Sequence, residues 1–116
     1  MDATYAHLSR RSSRLITQSY STSFSLGTRL LGAEVRDSIH AIYGMVRLAD
    51  EIVDTFQGHD QARLLQSFQD ATWQAIEDGI SLNPVLNSFQ AVVHDYALDP
   101  NHIEAFFRSM RMDLEQ

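Results

Sequence analysis

The sequence contains no cysteine and no long apolar run, and it has few residues that break helices. The absence of cysteine from the 116 residues excludes a disulfide framework and a thiolate metal site. No stretch approaches the roughly 18–20 apolar residues that a membrane-spanning helix needs. Because there are only two prolines and five glycines, turn signals are sparse, which favours long helices over many short strands.

Composition and charge restrict the function classes further. Hydrophobic residues make up 44% of the chain, and its length suffices for one small domain with its own core. The formal net charge of −6 argues against a nucleic-acid partner that is bound through general electrostatics. It suits a protein that recruits a cation before an anionic substrate. Together these features predict a cytoplasmic protein whose contact with a membrane, if any, is peripheral.

The apolar residues recur at helical spacing along the whole chain, which predicts an all-α fold. Asn and Asp are favoured N-caps, and proline is favoured directly after the cap, so two pairs of this kind mark helix starts. The predicted helices are residues 5–18, a short helix 24–31, the long helix 33–56, a helix from Asp60 to 78, and two that begin at Asn83-Pro84 and Asp99-Pro100.

The same spacing predicts which side chains face the core. In the first helix, the expected apolar contacts are Tyr5, Leu8, Leu15 and Ile16. In helix 33–56, the expected apolar stripe is Ile39, Ile42, Val46, Ala49 and Val53. The histidines show no spacing typical of metal ligands, and we expect all five at the surface or at the core boundary: His7, His40, His59, His94 and His102.

Helix 33–56 carries two carboxylates, a cation and a tyrosine on one face. At 3.6 residues per turn, Tyr43, Arg47, Asp50 and Asp54 lie within roughly 60° of one another. Mg²⁺ takes one or two carboxylates together with phosphate oxygens and waters, and arginine binds phosphate through two N–H groups. The face could therefore hold a metal ion against a phosphate. From the spacing alone, a solvated charged face in which Arg47 pairs along the helix is the more common outcome.

These residues and their neighbours resemble the squalene/phytoene synthase family of head-to-head prenyl-diphosphate synthases. The segment from Asp50 to Asp54 looks like the first aspartate-rich motif of that family, D-x-x-x-D. The resemblance extends from about Ser21 to the end of the chain. Within the family, its last segment is most similar to phytoene synthases. It rests on Ser21-Thr22-Ser23-Phe24, Ala41-Ile42-Tyr43, Arg47, Asp50-Glu51-Ile52-Val53-Asp54 and the segment from Phe107 to Asp113.

The resemblance implies an isoprenoid-synthase helical bundle that condenses two prenyl diphosphates, either farnesyl or geranylgeranyl diphosphate. Asp50 and Asp54 would be ligands of Mg²⁺, with Mn²⁺ as an alternative ion, and the metal would stabilise the departing diphosphate. The second substrate would attack the resulting allylic cation, and a cyclopropyl intermediate would rearrange to phytoene, squalene or a related product. NADPH would be required only if a squalene-type reduction follows.

The resemblance also gives roles to other charged and aromatic side chains. Arg47 would clamp the diphosphate, although pairing with Asp50 or Glu51 along the helix stays open. Tyr43 would line the pocket or donate its hydroxyl, although an ordinary boundary aromatic is an equal alternative. Asp113 is expected on the apolar face of its helix, where a carboxylate needs a partner or a function. It would contact the substrate cavity, although a position at a frayed helix end is an equal alternative.

The hydroxyl-rich segment before the long helix would contact substrate as well. In the family, Ser21, Ser23 and Phe24 match positions that recognise the diphosphate and the first isoprene units. The alternative is that one of the serines only caps the next helix. Some relatives carry a histidine immediately before this segment, where this chain has Tyr20.

We expect residues 1–116 to be the N-terminal part of a larger synthase domain, because the last helical pattern stops midway at Gln116. The family's second aspartate-rich motif lies further along, so we expect no turnover from this chain alone. A second copy could cover apolar surface that the rest of the domain would otherwise cover. Two alternatives stay open: a non-catalytic helical interaction domain, and another Mg²⁺-dependent enzyme such as a head-to-tail synthase or a terpene cyclase.

Overall fold

The computed structural model describes residues 3–20 and 32–115, and every regular element within these ranges is an α-helix. The predicted all-α fold is confirmed, and the helix bounds differ from the predicted ones by two residues at most. No helix of the described ranges is long and apolar enough to cross a bilayer. The predicted helix 24–31 lies outside the described residues. The helices are α1 (Ala3–Tyr20), α2 (Ala33–Thr55), α3 (Gln61–Asp78), α4 (Pro84–Tyr96) and α5 (Pro100–Leu114).

The starts of α3, α4 and α5 are capped by side chains, as the sequence predicts. The Asn83 side chain accepts hydrogen bonds from two backbone N–H groups in the first turn of α4, at 3.0 and 3.2 Å. Asp99 and Asp60 each accept one such bond at the start of α5 and α3, at 2.9 and 3.2 Å. Pro84 and Pro100 occupy the next position, where the missing N–H has no helical partner to lose.

The apolar core is shared by α2, α3, α4 and α5, and α4 lies at its centre. Six consecutive residues of α4, from Val85 to Gln90, are buried, because α4 packs against α1, α2 and α3 at once. Leu86 and Phe107 are completely buried, and each such side chain contributes about 2–3 kcal/mol through the removal of apolar surface from water. The core cluster is Met45, Ala49, Ile52, Leu65, Ala75, Leu86, Phe89, Val93, Ile103 and Phe107.

Helix α1 packs through hydroxyl side chains, not through the leucines that its spacing predicts. Leu8 and Leu15 are 50% and 63% exposed, so the prediction that they contact the core is wrong. The buried face of α1 consists of Ser9, Ser13 and Thr17, each at most 1% exposed. Small hydroxyls let the helix backbones approach closely, and hydrogen bonds remove the cost of burying them.

The buried hydroxyls join α1 to α4 by direct hydrogen bonds. The Asn87 amide donates to Ser9 Oγ at 3.0 Å, and Ser88 Oγ donates to the Ser9 carbonyl oxygen at 3.0 Å. The Ser13 and Ser88 hydroxyls lie 3.0 Å apart and share a hydrogen bond. Each bond is worth about 1 kcal/mol net, but an unpaired partner in this buried layer would cost more. The layer therefore fixes the axial register of α1 on α4.

The buried face of α2 is rotated from the predicted stripe. Of that stripe, Ala49 is fully buried, whereas Ile42 is 38% exposed and the other members are partly buried. The most buried apolar side chains of α2 are Ala41, Met45, Ala49 and Ile52. The buried face differs from the predicted stripe because α2 packs against all four of the other described helices and not against one surface.

His40 of α2 is 2% exposed, so the predicted surface or boundary position is wrong for this histidine. Burial lowers its pKa, and the positive charges of Arg14 and Arg36 act in the same direction, while Asp37 opposes them. The neutral imidazole is thus the form that the fold accommodates.

The first expected outcome concerns pH. Because the pKa of His40 is lower in the folded chain than the unfolded value of 6.5, its contribution to stability is complete above that pH. It is lost as the pH falls below 6.5 through the folded pKa. Urea unfolding between pH 7.5 and 5 should show this loss, by at most about 1.4 kcal/mol per pH unit. His40→Gln should flatten the slope, whereas the exposed control His7→Gln should not.

The second expected outcome concerns the close contact at Gly44. A Cβ at this position would lie 3.3 Å from both Ser13 Oγ and Val85 Cγ1 and 3.4 Å from Ser13 Cα. Gly44→Ala gains about 1 kcal/mol of helix propensity but crowds α1 and α4, so its net effect on the free energy of unfolding should be small. Gly44→Leu should destabilise the chain by about 1–3 kcal/mol or more. Equal thermal stability of both variants would show that α1 is not tightly packed there.

Candidate acidic site on helix α2

The residues predicted to carry the chemistry line one face of α2 near its C-terminal end. Tyr43, Arg47 and Asp50 are partly buried, and Asp54 is exposed. The face thus runs from the edge of the core into solvent, so each functional group is held by packing on one side and accessible on the other. The structure places all four as the helical spacing predicts.

Arg47 is held by two acidic residues of its own helix and by an aromatic ring of α1. Its Nη2 donates to Glu51 Oε2 at 2.8 Å, and its Nη1 lies 3.6 Å from Asp50 Oδ2. Its Cζ lies 4.4 Å from the centroid of the Tyr20 ring. The Arg47 side chain is only 19% exposed, so these contacts act in a partly desolvated setting. The pairing along the helix is thus the arrangement that the structure shows.

Asp50 lies in a local excess of negative charge. Burial raises its pKa, and the carboxylates of Asp54 and Asp113 raise it further, while the Arg47 guanidinium opposes them. Within residues 3–20 and 32–115, the Asp54 carboxylate takes part in no ion pair that would relieve this repulsion. A raised carboxyl pKa from burial and like charges in an accessible position is typical of a functional site and of a cation site in particular.

Asp113 comes to this face from α5. It is exposed, not directed into the core, yet its charge acts on Asp50 across the contact between α2 and α5. Residues of α3 and α5 hold this end of α5 in place. Arg111 donates to Gln69 Oε1 and, at 3.2 Å, to Glu104 Oε1. The spacing within the sequence does not predict the hydrogen bond between Arg111 and Gln69, because Gln69 belongs to another helix.

The donor set fits Mg²⁺ together with an anionic ligand. In the described ranges, no group of three or more histidine or acidic side chains is arranged to enclose a metal ion by itself. The carboxylates of Asp50 and Asp54 supply hard oxygen ligands, and burial together with the charge of Asp54 raises the pKa of Asp50, which a bound cation would oppose. The remaining coordination positions would belong to phosphate oxygens and water, which is how this ion is commonly held.

A second pair of aspartates has the same sequence spacing but not the same geometry. Asp95 and Asp99 are also four residues apart, yet α4 ends at Tyr96 and Ala97 adopts a left-handed conformation with φ of 50°. Asp99 then caps α5 with its side chain. The pair therefore does not share a helix face, and the structure separates it from the Asp50 and Asp54 pair.

The segment predicted to recognise the diphosphate lies outside the described residues. This concerns Ser21, Ser23 and Phe24, whose roles stay predictions. Tyr20, which precedes them, is the last residue of α1 and contacts Arg47. Sequence reasoning missed this contact, since Tyr20 and Arg47 are far apart in the chain and only the packing of α1 on α2 brings them together.

Comparison with known proteins connects this face to a family. A family model described as squalene/phytoene synthase matches residues 17–116, which include the whole face from Tyr43 to Asp54. The chain is similar to the chloroplastic phytoene synthase of Narcissus pseudonarcissus, with 32% identity over 101 residues. That match covers 84% of this chain and 23% of the relative, so the chain spans about a quarter of the length of the curated relative it matches.

The third expected outcome tests the charge balance of the face with two matched substitutions. Asp50→Asn removes a carboxylate that the fold holds at a raised pKa, so at pH 7 without Mg²⁺ it should stabilise the chain by about 0.5 kcal/mol after solvent screening. Glu51→Gln removes the same charge but weakens the 2.8 Å bond to Arg47, and should cost about 0.5–1 kcal/mol. Urea midpoints that shift in the same direction would contradict this assignment.

Proposed function

The chain belongs to the squalene/phytoene synthase family, and from this premise we propose that it carries the first half of a Mg²⁺-dependent prenyl-diphosphate site. The complete protein would join two molecules of geranylgeranyl or farnesyl diphosphate head to head, in isoprenoid and carotenoid biosynthesis. The observation that carries the proposal is the pair of carboxylates of Asp50 and Asp54, one helical turn apart and next to Arg47, inside the segment that matches the family. Burial and the charge of Asp54 raise the pKa of Asp50, which supports the same assignment.

Asp50 and Asp54 are the residues that would hold Mg²⁺. Their carboxylates stand one helical turn apart, at the exposed end of the site face, where an ion can enter with its waters. When bound, the metal would neutralise the diphosphate and make it a better leaving group. The protein itself contributes the fixed spacing of the two carboxylates and the repulsion that a divalent cation relieves. Mn²⁺ remains an alternative ion for the same oxygen ligands.

Arg47 would bind the diphosphate next to the ion. Along the helix, Arg47 stands between Asp50 and Tyr43, and its Nη1 has only a long contact of 3.6 Å to Asp50. A cation bound by the Asp50 carboxylate would remove this contact and leave N–H donors for phosphate oxygens. Tyr43, one turn further, would line the path between the diphosphate and the apolar groove.

An apolar groove beside the acidic face is suited to the prenyl chain. Ile42 and Val46 each precede a site residue by one position and so lie about 100° around α2 from it. They border a groove of about 250 Å³ between α2, α4 and α5. An extended apolar chain in this groove would have its charged end near Arg47. The groove is also lined by Met45, Phe89, Leu98, Ile103 and Phe106.

The chain alone would bind but not turn over. It covers about a quarter of its relative, and the Asp50 and Asp54 pair would hold metal for one diphosphate, whereas the proposed reaction must bind and ionise two diphosphates. The identity of the product, the need for NADPH, contact with a membrane surface and a cytoplasmic location stay predictions. So does self-association through apolar surface.

The fourth expected outcome is Mg²⁺-dependent binding of inorganic pyrophosphate by this chain, measured by titration calorimetry. Asp54→Ala should weaken binding at least about tenfold, because it removes a metal ligand. Asp95→Ala is the matched control, since it removes an equally exposed helical carboxylate from α4 and should leave binding unchanged. Equal weakening by both variants would mean that only net charge matters and that the acidic face is not a site.

The reaction itself is tested on the complete protein, incubated with Mg²⁺ and either geranylgeranyl or farnesyl diphosphate. A head-to-head hydrocarbon identified by mass spectrometry would support the proposal and give the chain length of the product. Head-to-tail or cyclic products would retain the metal site but exclude the proposed reaction. Absence of turnover by a folded complete protein would favour a non-catalytic helical interaction domain.

A further inference from the structure

We propose that Tyr20 is a positioning residue for Arg47, whose guanidinium it holds over its ring while the N–H donors change partners from carboxylate to diphosphate. This inference rests on the proposed function, because it presumes that Arg47 binds a diphosphate. Tyr20 is the last residue of α1, and Arg47 lies in the middle of α2, so the contact joins two helices at the site.

The geometry is that of a cation over an aromatic face. The Arg47 Cζ lies 4.4 Å from the centroid of the Tyr20 ring, well within the roughly 6 Å over which the ring attracts a cation. The Arg47 side chain is 19% exposed, and this attraction strengthens as water is removed. Tyr20 itself is 50% exposed, so its ring covers the guanidinium on one side without closing access to the site.

The ring and the carboxylates act on Arg47 in different ways. All five N–H donors lie in the plane of the guanidinium and bond only along particular directions, whereas the ring attracts the positive charge at Cζ, which lies over its face. The N–H groups make the 2.8 Å bond to Glu51 and the 3.6 Å approach to Asp50, which is too long for a hydrogen bond. The attraction to Tyr20 therefore does not depend on the bond to Glu51, and it remains when that bond is exchanged.

This division suits an exchange of ligands. Hydrogen bonds to carboxylate or phosphate weaken steeply when their angle changes, so they must break and re-form as the guanidinium turns. Attraction to the ring depends mainly on the height of the cation above it, so it remains during that turn. Without the ring, the bond to Glu51 would be the main contact that orients Arg47, and it would hold the group away from the diphosphate.

The role requires an aromatic face and not a phenolic hydroxyl. Tyr20→Phe should therefore preserve it, and Tyr20→Leu should remove it while keeping an apolar side chain of good helix propensity. Tyr96→Leu is the matched control, because Tyr96 is a tyrosine of similar exposure, 48%, at the end of α4, where its hydroxyl accepts a hydrogen bond from Ser38 of α2.

The test has two readouts on this chain. In NMR spectra without metal, the ring current should shift the Arg47 Nε–H proton upfield in the parent chain and in Tyr20→Phe, and this shift should be lost in Tyr20→Leu. In calorimetry with Mg²⁺ and inorganic pyrophosphate, Tyr20→Leu should weaken binding by about 2- to 30-fold. Tyr20→Phe and Tyr96→Leu should both bind within about twofold of the parent chain, a difference of less than about 0.5 kcal/mol.

Each outcome decides between the proposals. An unchanged Arg47 resonance in Tyr20→Leu, or unchanged pyrophosphate affinity in Tyr20→Leu while Asp54→Ala loses binding, would overturn the role of Tyr20 and leave the metal site intact. Equal loss in Tyr20→Phe and Tyr20→Leu would assign the effect to the hydroxyl and also overturn it. Absence of Mg²⁺-dependent binding in the parent chain would overturn the proposed function and, with it, this role.

Discussion

The close approach of α1 to α2 and α4 is the constraint on which the rest of the structure depends. The interface has room only for small side chains, so Ser9, Ser13 and Thr17 face inward from α1, and Ser13 meets Gly44 of α2. Hydrogen bonds to Asn87 and Ser88 then fix how far α1 extends along its partners. As a result, the last residue of α1 is brought to the Arg47 guanidinium at the edge of the site.

A second constraint is electrostatic and opposes stability at the place where function is proposed. The fold holds Asp50 partly buried beside Asp54 and near Asp113, although like charges in such a setting raise the carboxyl pKa. Arg47 offsets only part of this repulsion, because its short bond goes to Glu51. A chain selected for stability alone would spread these charges, whereas a site for a divalent cation and an anionic substrate requires them together.

The same helix, α2, separates three environments around its circumference. One side, with Met45 and Ala49, is buried in the core; the next, with Ile42 and Val46, borders an apolar groove; and the third carries the charged residues. An amphipathic substrate needs the last two environments next to each other, with the charged end at one and the hydrocarbon chain in the other. The membership of the chain in the squalene/phytoene synthase family is consistent with this arrangement.

The sequence by itself determined the features that depend on neighbours in the chain. The helix starts at Asn83 and Asp99 follow from caps that bond the next turn, and the shared face of Asp50 and Asp54 follows from helical spacing.

Only the tertiary structure decided which faces became buried. It placed His40 in the interior, left Leu8 and Leu15 exposed, and rotated the buried stripe of α2 toward Met45 and Ile52. It also decided the contacts of Tyr20 with Arg47 and of Arg111 with Gln69. These residues come close only because whole helices pack together, and no local pattern of hydrophobic and polar residues predicts how they pack.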